Sequence, residues 1–126
     1  MVSTNEVDGV KIRIDLDASD SLSVRLKNIR VEGPARKPMR LRDQARAIVE
    51  RINYLDGELA LIEVDGFANA VQIRTKNPEP IEGGVRFVEV VLREGNLITV
   101  EAKGAPLHLS QERMQKLTDT LVQLVR

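Results

Sequence analysis

The chain has 126 residues, 42% of them hydrophobic and 30% charged, a balance typical of a globular domain rather than of a disordered or membrane-spanning chain. Cysteine is absent, which excludes disulfides, thiolate catalysis, iron–sulfur clusters and cysteine-ligated zinc. The 19 basic residues balance 19 acidic ones, and the 2% of aromatic residues argue against a stacking platform for single-stranded nucleic acid.

The first residues of the chain are not expected to act as a secretory signal. They lack a basic region followed by an apolar one, and no apolar run in the chain approaches the roughly 20 residues of a membrane helix. We therefore expect a cytoplasmic protein that does not contact membranes. Residues 1–8 are polar and are expected to be flexible.

A hairpin is predicted next. Apolar and polar residues alternate over residues 10–16 and again from residue 22 to residue 26, which indicates two half-buried strands. The alternation then changes phase near Lys27 and Asn28. A β-bulge there would explain the change, because one inserted residue turns every later side chain to the other face of the sheet.

A helix is predicted after the connection 33–38, which contains two prolines. Apolar residues recur at spacings of four, three, four and three, giving one apolar stripe. The stripe consists of Leu41, Ala45, Ile48, Ile52 and Leu55. The helix is expected to end at Asp56 and Gly57, because glycine is favoured just past a helix C-terminus.

Two further hairpins follow in the sequence. The first pairs residues 58–65 with 67–75 around a turn at Asp65 and Gly66, and a loop then covers residues 76–84. The second, over residues 85–103, is the clearest hairpin signal in the chain, with Glu94, Gly95 and Asn96 between its two β-branched runs. Both phases of residues 85–93 are apolar, so this strand is expected inside the sheet with both of its faces covered.

The last element is a helix that begins after Ser110, a favoured N-cap residue. Its apolar stripe consists of Met114, Leu117, Leu121 and Leu124. The whole chain, residues 1–126, is therefore predicted to be one α+β domain in the order ββαββββα. Two amphipathic helices pack on a mostly antiparallel six-stranded sheet. The apolar second face would be covered by a partial barrel or, the interpretation that we favour, by a second copy of the chain.

Three groups of residues could take part in catalysis or metal binding. His108 and Ser110 are too close together to form a triad, and no nucleophile-elbow pattern accompanies them. The acidic turn at residues 15–20 lacks the glycine and the final glutamate of a calcium loop. Glu89 is interpreted as the partner of a cross-strand arginine such as Arg74 or Arg86. We therefore predict no catalytic residue, no metal site and no cofactor.

The basic segment 25–46 is the one compositional hint of a ligand. It carries eight basic and two acidic residues, a net charge of +6, around the start of the first helix. Helix N-termini with nearby arginines bind anions, because free backbone N–H groups and side-chain charges converge there. The candidate anion-binding residues are Arg30, Arg36, Lys37, Arg40, Arg42 and Arg46.

These observations favour a non-enzymatic protein-interaction or assembly module that forms a homodimer, with another protein as a further partner. The alternative is an anion-binding module that uses segment 30–46 to bind a nucleotide, nucleic acid or an acidic protein segment. A small enzyme or ligand-binding protein with a pocket that the sequence does not reveal is the third hypothesis.

Overall fold

The computed structural model describes residues 1–34, 41–55, 61–67, 70–75, 79–93 and 96–125. In these ranges the chain forms nine strands and two helices. The strands are β1 (Val2–Val7), β2 (Val10–Ser19), β3 (Ser23–Glu32), β4 (Leu61–Phe67), β5 (Ala70–Thr75), β6 (Glu79–Ile81), β7 (Gly84–Arg93), β8 (Leu97–Lys103) and β9 (Leu107–Ser110); the helices are α1 (Leu41–Leu55) and α2 (Gln111–Val125). The predicted α+β class is confirmed, whereas the prediction of six strands was wrong.

All the strand pairs are antiparallel, in the order β1-β2-β3-β8-β7-β5-β4. Two short strands lie off this path, since β6 pairs with β7 and β9 pairs with β3. Strand β7 has neighbours on both sides, as predicted for the strand that is apolar in both phases.

The core lies between one face of the sheet and the two helices. In register across five strands, one row of buried side chains consists of Ile12, Val31, Ile98, Leu92 and Val71. Ala45 and Ile48 of α1 are fully buried, as is Leu121 of α2, and both helices belong to the same hydrophobic cluster as the strands. The two predicted amphipathic helices therefore pack on the sheet and contact each other.

The bulge predicted near Lys27 is confirmed, and a second bulge accompanies it. Asp15 pairs with Asn28 and Leu16 with Leu26, so Lys27 is the inserted residue on β3. The next pair is Ala18 with Arg25, which makes Asp17 an inserted residue on β2. The insertion divides β3 into two parts, of which residues 28–32 pair with β8 and residues 23–26 pair with β9.

Residues 1–8, for which the sequence predicted no strand, include strand β1 (Val2–Val7). Its register against β2 ends at the pair Val7 and Val10. Asp8 and Gly9 form the turn between them with φ angles of 51° and 81°, the left-handed conformation of a two-residue type I′ hairpin. The Asp8-Gly9 dipeptide is the sequence signal for this hairpin turn. The polar composition of residues 2–7 concealed the strand before it.

Three other sequence predictions also needed correction. Residues 79–81, predicted as loop, form β6, and residues 107–110 return to the sheet as β9 before α2 begins. The predicted turn at Asp65 and Gly66 lies inside β4, where one extra residue shifts the register between Glu63 and Gly66. The predicted end of the first helix at residues 56–57 lies outside the described residues.

The predicted hairpin over residues 85–103 is confirmed, and Asn96 closes its connection. Arg93 pairs with Leu97, and Asn96 has a φ of 61°, the left-handed conformation that three-residue hairpin loops require. Its side-chain amide donates to the Pro34 carbonyl oxygen at 2.8 Å, and its side-chain oxygen accepts from Gln44 at 3.3 Å. Asn96 thus joins the hairpin to the end of β3 and to α1.

Candidate functional site

The outer edge of β1 is the most distinctive surface feature of the described residues. Strand β1 is the first strand of the sheet and pairs only with β2, so its other side faces solvent. All six of its residues are exposed. At the opposite edge β4 carries the register shift described above, and bulges of this kind protect edges from pairing. The β1 edge has no proline, bulge or lysine to protect it.

The hydrogen-bond pattern shows which backbone groups point outward from β1. In an antiparallel pair, alternate residues exchange both backbone hydrogen bonds with their opposite residue. Met1 is such a residue, because the Leu16 amide donates to its carbonyl oxygen at 2.8 Å and its amino group donates back at 2.9 Å. By alternation, the amide and carbonyl groups of Val2, Thr4 and Glu6 point away from β2.

Exposed apolar side chains are concentrated at this edge. The described residues include four large apolar side chains with high exposure: Met1 (72%), Val2 (50%), Val7 (42%) and Leu22 (80%). Three of the four lie on β1 or directly before it. Met1 and Val7 lie on the inner face at the two ends of the edge, and Val2 lies on the opposite face.

A groove adjoins the same edge on the helical side of the sheet. It has a volume of about 560 Å³ and lies between β1 and α2. Its apolar lining includes Val7, Ile12, Ile14, Leu16, Met114 and Val122, and its polar lining includes Ser3, Asn5 and Thr118. In the described residues, α2 packs on β3, and the groove separates α2 from the inner side of β1.

The opposite face of the sheet is polar in its central part. On β2, β3 and β8 it carries Lys11, Arg13, Asp15, Arg30, Glu32, Thr99, Glu101 and Lys103, all exposed or half-buried. The second apolar face was expected from Leu59, Leu61 and residues 85–93 rather than from these three strands, where Leu97 is the apolar residue of this face. Val91 on β7 is half-buried, and Leu59, which contributed to that expectation, lies outside the described residues.

The structure places only part of the predicted anion-binding segment. Arg30 is exposed on β3, on the sheet face opposite the helices, and Arg46 is exposed on α1. The sheet therefore separates these two side chains. Arg36, Lys37 and Arg40 lie outside the described residues, as does the Arg42 side chain, so the six-residue site stays a prediction. Sequence reasoning missed Arg13, which the register places directly opposite Arg30.

The remaining sequence candidates lie on β9 and β7. His108 is exposed on β9, and Ser110 caps α2 by accepting a hydrogen bond from the Arg113 amide at 3.1 Å. Glu89 is 9% exposed, and the register places Arg74 directly opposite it, as expected of a cross-strand pair.

The acidic turn does not form a cation loop. Asp20 accepts hydrogen bonds from the Leu22 amide at 2.7 Å and the Ser23 amide at 2.8 Å. These backbone donors hold the pKa of the Asp20 carboxyl below its usual value of 3.8. Asp15 and Asp17 lie on β2, and Asp17 is 3.9 Å from the Lys27 ammonium. In the described part of the chain, no group of three or more His, Cys, Asp or Glu side chains is arranged to hold a metal ion.

Comparisons with protein families, with curated proteins and with solved structures found no match to this chain. No helix of the described residues is long and apolar enough to cross a membrane. Functional inference therefore depends on the geometry of β1 and of the polar sheet face.

Proposed function

We propose that the protein is a non-enzymatic assembly module that forms a homodimer by pairing the β1 strands of two copies. The observation that carries this proposal is the edge strand β1, which no described residue covers and which carries three exposed apolar side chains on it or directly before it. An exposed regular edge offers a row of backbone donors and acceptors to another strand. A second copy supplies an identical strand, and two antiparallel strands close into a symmetric pair.

The outward-pointing groups fix the register of this pair. A two-fold axis between antiparallel strands runs perpendicular to the sheet, so residues of the same face must pair. With Val2, Thr4 and Glu6 as the outward residues, the longest register places Thr4 opposite Thr4 of the second copy. Roughly six backbone hydrogen bonds would then join the two sheets into one.

The side chains suit this register. Met1 comes opposite Val7 of the second copy. By symmetry this contact between exposed apolar side chains of the inner face occurs twice in the dimer. Val2 comes opposite Glu6 and Ser3 opposite Asn5, so no like charges oppose each other. The interface is smaller than that of a standard stable complex, so we expect a weak dimer that forms only at high protein concentration.

Substitution of Thr4 by proline tests the proposal. The Thr4 amide points to solvent in the monomer, where an edge strand tolerates proline, but it is a central donor of the dimer. Thr4→Pro should therefore remain monomeric at protein concentrations well above the dissociation constant, measured by sedimentation velocity, while the wild type dimerises. Thr4→Val is the matched control and should dimerise. A wild type that stays monomeric throughout the same concentration series would refute the proposal.

Disulfide trapping gives an independent test, because the chain has no cysteine of its own. Opposed residues of an antiparallel pair have Cα separations of about 5.5 Å, within the range of a disulfide. Thr4→Cys should cross-link rapidly under mild oxidation. Leu22→Cys, at the most exposed apolar position away from β1, is the control. Its cross-linking rate measures disulfide formation by random collision. Equal rates for the two variants would contradict the register.

A further inference from the structure

Two arginines face each other on the polar side of the sheet. The register places Arg13 of β2 directly opposite Arg30 of β3, and both side chains are exposed. Opposed residues have Cβ atoms about 4.5–5.5 Å apart, and like charges in that position destabilise a sheet. Neither guanidinium has an ion pair or hydrogen bond with any described residue. Glu6 and Glu32 lie nearby on the same face of the sheet, but neither makes an ion pair with these guanidinium groups.

The arginine pair lies at an open groove of about 450 Å³. Residues 104–106 form one wall, and the floor includes the side chains of Thr99 and Asn28. Arginine groups arranged around such a space can present several N–H donors to one ligand, and the hydroxyl and amide groups add further donors. The space is large enough for a small polyatomic anion.

The acidic side chains of the groove already have cationic partners. Three ion pairs lie in or beside it: Asp15 with the Met1 amino group at 3.8 Å, Glu101 with Lys103 at 3.0 Å, and Asp17 with Lys27 at 3.9 Å. The lining of the groove has three basic residues, Arg13, Lys27 and Arg30, against two acidic ones, Asp15 and Glu101, and only the two arginines make no ion pair with a described residue. The groove is electrostatically suited to an anion although the net charge of the chain is zero.

We infer that Arg13 and Arg30 form a binding site for a small oxyanion carrying two negative charges, such as a phosphate group or a dicarboxylate. A ligand of this class would accept paired N–H donors from both guanidinium groups and would remove their mutual repulsion. Every side chain of the site belongs to one copy of the chain. The inference therefore does not depend on the proposed homodimer.

The test is thermal unfolding in inorganic phosphate compared with sodium chloride at the same ionic strength, with malonate as a dicarboxylate arm. Specific binding should raise the melting temperature of the wild type by several degrees at millimolar phosphate, because the ligand stabilises only the folded chain. Arg13→Gln and Arg30→Gln should each lose this increase. Arg93→Gln removes the same charge outside the groove and should keep it. Phosphate and malonate distinguish the two sources of the anion by the size of their effects.

A titration of the Arg Nε–Hε signals by nuclear magnetic resonance locates the site directly. Phosphate should shift the signals of Arg13 and Arg30 with one dissociation constant, which rises about tenfold or more in Arg30→Gln. The same constant should be found in the Thr4→Pro background, so a failure of dimerisation and a failure of anion binding are distinguishable. Equal shifts for Arg93, or a phosphate effect that survives Arg13→Gln and Arg30→Gln, would overturn the inference.

Discussion

At the scale of single residues, Gly33 controls how closely β3 approaches the end of α2. A Cβ atom at this position would overlap the carbonyl oxygen of Val125 and lie 2.9 Å from the Val125 Cβ. Val125 is 1% exposed, so neither group can move without disturbing the core. Only glycine allows this approach, and the reason is steric.

Gly33→Ala should therefore destabilise the protein, by roughly 1–3 kcal/mol, the usual cost of inserting a methyl group into a packed interior. The measurement is the free energy of urea unfolding. Glu32→Ala, at the exposed neighbouring position, should change it by less than about 0.5 kcal/mol. An unchanged stability of Gly33→Ala would show that the helix end can retreat without cost.

Asp20 makes a pH-dependent contribution to stability. Its folded-state pKa lies below the ordinary value of 3.8, so the ionised form stabilises the fold. The contribution is complete above the unfolded-state pKa and is lost as the pH falls through the lower folded-state pKa. The turn also holds α2, because Gln111 donates to the Asp20 carbonyl oxygen at 2.7 Å.

Asp20→Asn resembles the protonated state of this side chain. The difference in unfolding free energy between wild type and Asp20→Asn should therefore be largest near neutral pH and should shrink as the pH falls below about 4. Urea titrations over this pH range measure it. A difference that stays constant with pH would mean that the charge of Asp20 has no part in stabilising the turn.

At the scale of elements, Asn96 connects three parts of the chain. Its backbone carbonyl oxygen accepts a hydrogen bond from the Gly33 amide at 3.1 Å, in addition to the two side-chain bonds to Pro34 and Gln44. Gln44 is 9% exposed, so loss of its partner would leave a mostly buried amide with fewer hydrogen bonds.

Two substitutions separate the conformational role of Asn96 from its bonding role. Asn96→Gly keeps the left-handed conformation but removes both side-chain bonds, and it should cost about 1–3 kcal/mol. Asn96→Ala also places a Cβ-bearing residue without a side-chain hydrogen bond in the left-handed conformation. It should therefore be less stable than Asn96→Gly by about 1 kcal/mol. Unfolding free energies of both variants decide the matter. If Asn96→Gly is as stable as the wild type, the connection to α1 does not contribute.

The secondary-structure elements differ in how far the sequence could predict them. Both helices and the hairpin of residues 85–103 were predictable because their apolar periods extend over many residues. The bulge at Lys27 was predictable because a phase change is visible in the sequence itself. Strand β1 was not, because its polar residues have no period and its place depends on the turn at Asp8 and Gly9. Strand β9 was missed because four residues are too few to show a pattern.

At the scale of the whole molecule, the candidate sites arise from strand register. Arg30 was visible in a basic stretch of sequence, but its neighbour Arg13 is distant in the chain and meets it only across β2 and β3. The unblocked edge of β1 likewise depends on strand order, since no local pattern tells which strand lies last in a sheet. Sequence periodicity thus predicted the core, while the surfaces depend on topology.

The division of β3 between two neighbours has a consequence for the oxyanion groove. Residues 104–106 connect β8 to β9, and both of these strands pair with β3. The short connection is therefore anchored at each end to a single strand, and it cannot swing outward unless one of the two ladders breaks. The cleft is therefore preformed before a ligand binds. The rate of anion binding should be limited by diffusion and electrostatic attraction rather than by a gating motion.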